Sequence, residues 1–252
     1  ELEREENLVS YANYSGNTGK IYTPPVVSVC ELYLNHVFLD PSVHKIFMKR
    51  FGFQLVRLTR THTQTNLQSS EDSILLQQLK WPVECMYVAF RPQANLLSSQ
   101  NWHRNTVLTS HDYPVPVVTG GVVVAVNNVV YQDETPVIAT LGLKAHDITI
   151  YPELHPAFYN SYLPSQYGGN NIKTPRDVGW HMMNFNFYPG EQQPSGYLNV
   201  SQGRELYLQY RSATTAAGVH HIRSANPVDL IVVADCINFL LAKDNSAVMR
   251  FS

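Results

Sequence analysis

Hydrophobic and polar positions alternate with a period of two along most of this chain. In residues 29–36, Cys30, Leu32 and Leu34 share one face while Glu31, Tyr33 and Asn35 share the other, which predicts a half-buried strand. The period then changes. Asp40-Pro41 reads as an N-cap followed by proline at the first helical position, Val43, Ile46 and Phe47 fall on one helical face, and Lys49-Arg50 suit a C-terminal end. Residues 51–63 return to strand composition with a phase slip near Leu55-Val56, so a bulge is expected there. Residues 83–90 and 228–241 are apolar on nearly both faces, as in strands covered on two sides. Further strands are predicted at 117–118, 122–126, 129–131, 136–143 and 247–251. Two more come from the alternations of Met183, Phe185 and Phe187 and of Leu206, Leu208 and Tyr210.

Eight or more short strands with almost no helical periodicity predict an all-β, antiparallel sandwich or jelly roll with a few short helices in loops. The connections 61–80, 91–114, 151–179 and 211–227 read as long loops, which in such folds are functional or contact-making. The last of them, small and polar, reads as mobile. Neither an internal repeat nor an interdomain linker is visible.

Composition narrows the function. The 252 residues suffice for one large β domain or two small ones. Charged residues are only 15%, so polar surface must come from uncharged side chains or be covered by partners. A net charge of −2, with Lys49, Arg50, Arg57, Arg60 and Arg91 scattered among strands, gives no basic stripe for direct nucleic-acid binding. Cys30, Cys85 and Cys236 are odd in number, lie in apolar runs and form no C-x-x-C, which favours small hydrophobes in a reducing compartment over a disulfide framework. The start Glu1-Leu-Glu-Arg-Glu-Glu6 is neither a signal peptide nor an initiator methionine and reads as continuing from an upstream part. The apolar run 230–241 is too short and, with Asp235 and Asn238, too polar for a transmembrane segment.

Candidate chemistry is sparse. Ten histidines invite a metal, but none has His, Asp or Glu two positions on, as strand-borne cupin ligands need, and His220-His221 would point to opposite faces. Ser42-x-x-Lys45 lacks the partner motifs of serine acyltransferases. Asp133-Glu134, before Thr135-Pro136, reads as a solvated turn. Asp235 inside an apolar strand is either a buried partner to Arg or Lys or an interface residue. Asn13 and Asn199 head formal glycosylation sequons that are expected to stay unmodified without a secretory signal. Trp81, Trp102 and Trp180 are candidate platforms for sugars if exposed. The expectation is therefore no catalytic residue, no cofactor and no metal.

One run carries more information than these. Gln192-Gln-Pro194-Ser195-Gly196-Tyr-Leu-Asn199-Val-Ser201 reads as a tight turn feeding a short strand from Tyr197. Upstream lies Tyr159-Asn-Ser-Tyr-Leu-Pro-Ser-Gln-Tyr167-Gly168-Gly169-Asn-Asn-Ile-Lys-Thr-Pro175. Together with residues 41–50, Leu79-Lys-Trp-Pro-Val-Glu84, Cys236-Ile-Asn-Phe-Leu-Leu241 and Asn245-Ser-Ala-Val-Met-Arg250, these runs resemble the major capsid proteins of nucleocytoplasmic large DNA viruses, in the branch of African swine fever virus and faustovirus. The pieces run in family order from about residue 30 to the end, while 91–135 and 211–227 depart from the pattern. The resemblance implies one half, the C-terminal half, of a double jelly-roll subunit, with residues 1–20 leading in from an upstream jelly roll and 21–252 forming the C-terminal one. It further implies a homotrimer building pseudo-hexagonal capsomers of an icosahedral virion capsid assembled in the host cytoplasm. Neighbouring capsomers and minor capsid proteins would be partners. Pro194, Ser195, Gly196, Asn199, Ser201, Tyr167, Gly168 and Gly169 would be structural motif residues. The alternatives are a cupin-type enzyme and a carbohydrate-binding jelly roll.

Overall fold

The computed structural model describes residues 28–50, 52–97, 101–119, 122–169, 172–200, 205–243 and 246–250. Asn13, Ser201 and the 1–20 lead-in lie outside the described residues.

Helix α1 lies in its expected place, Pro41–Arg50, and Asp40 caps it: its Oδ1 accepts from the Ser42 amide at 2.9 Å. Twelve strands are described. They are β1 (Phe53–Leu67), β2 (Glu71–Leu75), β3 (Pro82–Pro92), β4 (Thr106–Thr119), β5 (Val122–Pro136), β6 (Ile138–Ala145), β7 (Ile148–Leu154), β8 (Trp180–Asn184), β9 (Leu198–Asn199), β10 (Leu206–Ser212), β11 (Val228–Lys243) and β12 (Ser246–Met249). One sheet runs β1-β11-β3-β8, with β12 beside β11 and β9 beside β3; the second runs β2-β10-β6-β7. All pairs are antiparallel.

The order of the strands identifies the topology. Set aside the β4-β5 ribbon and the short β9 and β12, and eight strands remain. The first, eighth, third and sixth make one sheet; the second, seventh, fourth and fifth make the other. That interleaving of two Greek keys is the jelly roll. The ribbon is an insertion between the third and fourth sandwich strands, paired from Thr106–Pro136 out to Thr119–Val122.

The core lies between the sheets. On β11, Val228, Leu230, Val232, Ala234 and Cys236 face inward; on β3, Met86, Val88 and Phe90 do; on β10, Leu206, Leu208 and Tyr210 do. Phe90 and Tyr210 meet across the sandwich with ring centroids 5.0 Å apart. Between β7 and β8, a π-helical turn (Phe158–Tyr162) runs into α2 (Leu163–Tyr167) and closes the side of the sandwich, Tyr159 being fully buried.

Several expectations are corrected. Residues 29–36 form no strand; they are exposed and without regular secondary structure, with no strand partner among the described residues. Val43 and Ile46 of α1 are also exposed, and the side chains of Phe47, Lys49 and Arg50 lie outside the described ones. The bulge is not at Leu55-Val56, where β1 and β11 stay in register, but between Gln64 and Leu67, where Asn66 adopts φ +63°. Three expected loops hold strands: β1 continues to Leu67 and β2 occupies 71–75 within 61–80, β4 begins at 106, and β7 ends at 154. The 211–227 stretch is laced by the bridges Thr214–His220 and Arg223–Asn226, and the Ile222 amide donates to Ser212 Oγ at 2.9 Å while its side chain is buried. Strand β8 stops at Asn184, so Phe185 and Phe187 do not continue its alternation.

Candidate functional site

The two glycine-bearing runs, far apart in sequence, are brought together beside β8. Strand β8 ends because Asn184 turns the chain: its Nδ2 donates to the Asn186 carbonyl at 2.7 Å. The chain passes Phe187, Tyr188 and Pro189 and returns through Pro194-Ser195-Gly196. Ser195 Oγ ties the two limbs by accepting from the Tyr188 amide at 2.8 Å. Gly196 has φ +149°, and a Cβ there would lie 3.0 Å from the Phe185 carbonyl oxygen and 3.3 Å from Asn186 Cα. Backbone conformation and space therefore both require glycine. Asn199 follows in β9, paired with Pro82 on β3.

The upstream run ends α2. Tyr167 is its last residue and is half exposed. Gly168 lets the chain close on itself: its amide donates to the Pro164 carbonyl at 3.0 Å, and a Cβ would sit 2.2 Å from that oxygen. Gly169 takes φ +62°, and its nearest neighbour is the Pro189 carbonyl oxygen, 3.7 Å from an ideal Cβ. The structure thus joins Tyr167, Gly168 and Gly169 to the loop that holds Pro194, Ser195 and Gly196.

Between these runs lies an open aromatic groove. One part, of about 560 Å³, is lined by Tyr151, Phe158, Tyr162, Leu163, Phe185 and neighbouring residues; the adjoining part, of about 460 Å³, by Tyr188, Pro189 and Glu191 among others, and Tyr167 and Phe187 border both. Phe158 and Tyr162 stack with centroids 5.2 Å apart. Phe187 is 79% exposed, and Tyr162, Tyr167, Tyr188 and Tyr197 are half exposed or more. Aromatic surface of this extent is a contact surface by chemistry. The spacing of Phe158 and Tyr162, four residues apart, is the signal that sequence reading missed. It predicts a shared helical face, within a stretch read there as loop.

An ion pair anchors the groove's far limb. Arg57 Nε donates to Glu84 Oε2 at 2.5 Å, and its Nη1 reaches the Gln192 carbonyl at 3.2 Å. Glu84 is buried, and its hydrogen bond holds the Arg57 guanidinium pKa above its ordinary value. Burial likewise raises the Tyr151 hydroxyl, which donates to the Asn184 carbonyl at 2.6 Å.

The other candidate residues are dispersed. Ser42 Oγ donates to the Asp40 carboxylate that caps α1. Asp133 and Glu134 lie in strand β5, not a turn, and bind different partners: His111 at 3.3 Å and Arg104. Asp235 is half-buried, accepting from Thr59 Oγ1 at 3.3 Å and Cys85 Sγ at 3.4 Å. Burial, with Asp235 beside it, pushes the Cys85 thiol up to about 12, and burial does the same to Cys236, so neither is a thiolate at neutral pH. Cys30, expected as a small hydrophobe, is exposed instead. Trp81 is buried with Arg60 stacked 3.7 Å over its ring, and Trp102 and Trp180 are half-buried, so none presents an open platform. Among the described residues no three His, Cys, Asp or Glu side chains are grouped to hold a metal, and no helix is long and apolar enough to cross a membrane.

Comparison with known proteins gives these features a family. Over 244 aligned residues the chain is 35% identical to the hexon protein p72 of African swine fever virus, covering 88% of this chain and 36% of that protein. Among solved structures, the faustovirus major capsid protein superposes with a TM-score of 0.67 at 35% identity, over 82% of this chain and 36% of that one. A quasi-atomic model of the PBCV-1 virus capsid, at 15% identity and a TM-score of 0.58, shares the fold over 85% of this chain and 55% of that one. The chain thus spans about a third of the length of its curated relatives. Residues 39–248 match the model of the large eukaryotic DNA virus major capsid protein, and the chain belongs to that family.

Proposed function

We propose that this chain is the C-terminal jelly roll of a major capsid protein subunit, three copies of which form a pseudo-hexagonal capsomer in the icosahedral shell of a large DNA virus. The observation that carries the reading is the complete eight-strand jelly roll in a chain that covers only 36% of relatives named as capsid or hexon proteins. A second jelly roll fits within the remaining length. Residues 1–20 would be the lead-in from it, and 21–252 the C-terminal roll.

The role is structural. Aromatic groove, rigid glycine turns and buried ion pair serve packing between subunits, and the chain contributes no catalysis. The partners are the other two copies, neighbouring capsomers and minor capsid proteins; the shell would assemble in the host cytoplasm. Multi-angle light scattering on the intact virion protein tests this: a mass of three subunits is expected, and a stable monomer at assembly concentration would overturn it.

A further inference from the structure

Two unpartnered features of this chain complement each other. The first is the arm at residues 28–39. It has no regular secondary structure, and the Tyr33 hydroxyl donates to the Glu31 carboxylate two residues away. Its apolar side chains are left in water, Leu32 and Val37 82% and Phe38 94% exposed. Its sequence nevertheless alternates as a strand does.

The second feature is the outer edge of β1. This strand is 15 residues long, pairs with β11 on one side, and has no strand on the other among the described residues. Natural edges are protected by proline, bulges, shortness or charged side chains. From Phe53 to Gln64, β1 has no proline and an unbroken register, and its two charges, Arg57 and Arg60, are each engaged within the chain by Glu84 and Trp81. Such an edge presents a row of unpaired backbone N–H and C=O groups to any strand that fits.

We propose that the 28–39 arm of one copy adds as a strand to the free edge of β1 in a second copy. The faces agree. On β1, Leu58 and His62 point to the core, while Thr59, beside Asp235, points to the outer face. An added strand in register puts Leu32 and Leu34 beside the core row and Glu31 and Tyr33 beside the threonine row. The lengths agree too: the arm's 12 residues match the 12 of β1 in continuous register, 53–64. Strand β1 carries Arg57, already paired with Glu84, and Arg60, stacked over Trp81. Edge-to-edge pairing of two β1 strands would bring these arginines together, whereas the arm carries no Lys or Arg.

A second copy is the better acceptor than the same chain. Helix α1, ten residues and about 15 Å long, stands between the arm and Phe53, whereas neighbouring strands are about 4.8 Å apart. Closing that hairpin in one chain would sacrifice pairing residues on both sides. Exchange between copies sacrifices none. The inference rests on the proposed self-association and names one contact within it.

Hydrogen exchange on the full chain, read by peptide-resolved mass spectrometry across its association range, tests it. Residues 29–36 and 53–64 should both slow by about tenfold as copies associate, and Leu32→Asp should abolish the slowing in both. Because Leu32 is 82% exposed, that variant should melt with the native protein. Slowing that is independent of concentration would mean addition within one chain and overturn the proposal. Association without slowing in these segments would overturn it while leaving the capsid reading intact; absence of any association would overturn both.

Discussion

Replacing Gly196 by valine loads the site at its tightest point. The residue's φ of +149° lies in a region that side-chain-bearing residues rarely enter, at a cost of about 1–3 kcal/mol. The first carbon added would meet the Phe185 carbonyl oxygen at 3.0 Å and Asn186 Cα at 3.3 Å, both backbone atoms of the turn that ends β8. That turn cannot give way freely, because the Phe185 amide is held by the Glu84 carbonyl at 2.9 Å. Overpacking adds about 1–3 kcal/mol, so the total is about 2–6 kcal/mol. For a domain of this size that is a melting point lower by roughly 5–20 °C. Gly218 supplies the control: its φ is +75°, but a Cβ there meets nothing within 4 Å. Gly218→Val should cost only the backbone strain, about 1–2 kcal/mol. Thermal melts by circular dichroism compare the two. If Gly196→Val melts no lower than Gly218→Val, position 196 is not enclosed as described and the turn does not constrain the site.

Three further outcomes are expected. Glu84→Gln keeps the shape but leaves Arg57 without its charge partner; since Arg57 is partly exposed, urea unfolding should show a loss of about 1–3 kcal/mol. Burial holds the His181 pKa down to about 4, so the unfolded chain takes up a proton near pH 6.5 and the folded chain only near 4. Stability should therefore fall as pH drops through that window, by about 3 kcal/mol at its lower end, and His181→Gln should flatten the dependence in pH-dependent unfolding. Phe187→Ser removes exposed groove surface, so the melting point should hold within about 1 °C while sedimentation shows weaker association; unchanged association would remove the groove from the interface.

How far the sequence disclosed the fold depended on burial. Strands β10 and β11 were legible because one face of each is fully buried, which forces the alternation seen from Leu206 to Tyr210 and the apolar run from Val228. Helix α1 was legible from Asp40-Pro41, since caps are local chemistry. Strand β2 was not: it is an edge strand in which only Ile74 is buried, so it shows no pattern. Strand β7 hid behind Pro152 at the opposite edge. The 29–36 arm shows the converse failure. A strand pattern states what a segment needs, and no strand pairs with it among the described residues. At the site, each glycine turn was readable by itself. Their meeting was not, because the contact of Gly169 with Pro189 depends on how the β7-β8 connection packs. The groove's aromatic side chains were missed for the same reason.

Cryo-electron microscopy of the assembled virus shell tests the central claim most directly. The account predicts capsomers of three subunits, each with a jelly roll of this strand order as its C-terminal half and with the Tyr162–Phe187 groove in contact with a neighbouring subunit or roll. Capsomer density that excludes this roll, or that leaves the groove facing solvent in every copy, would contradict it.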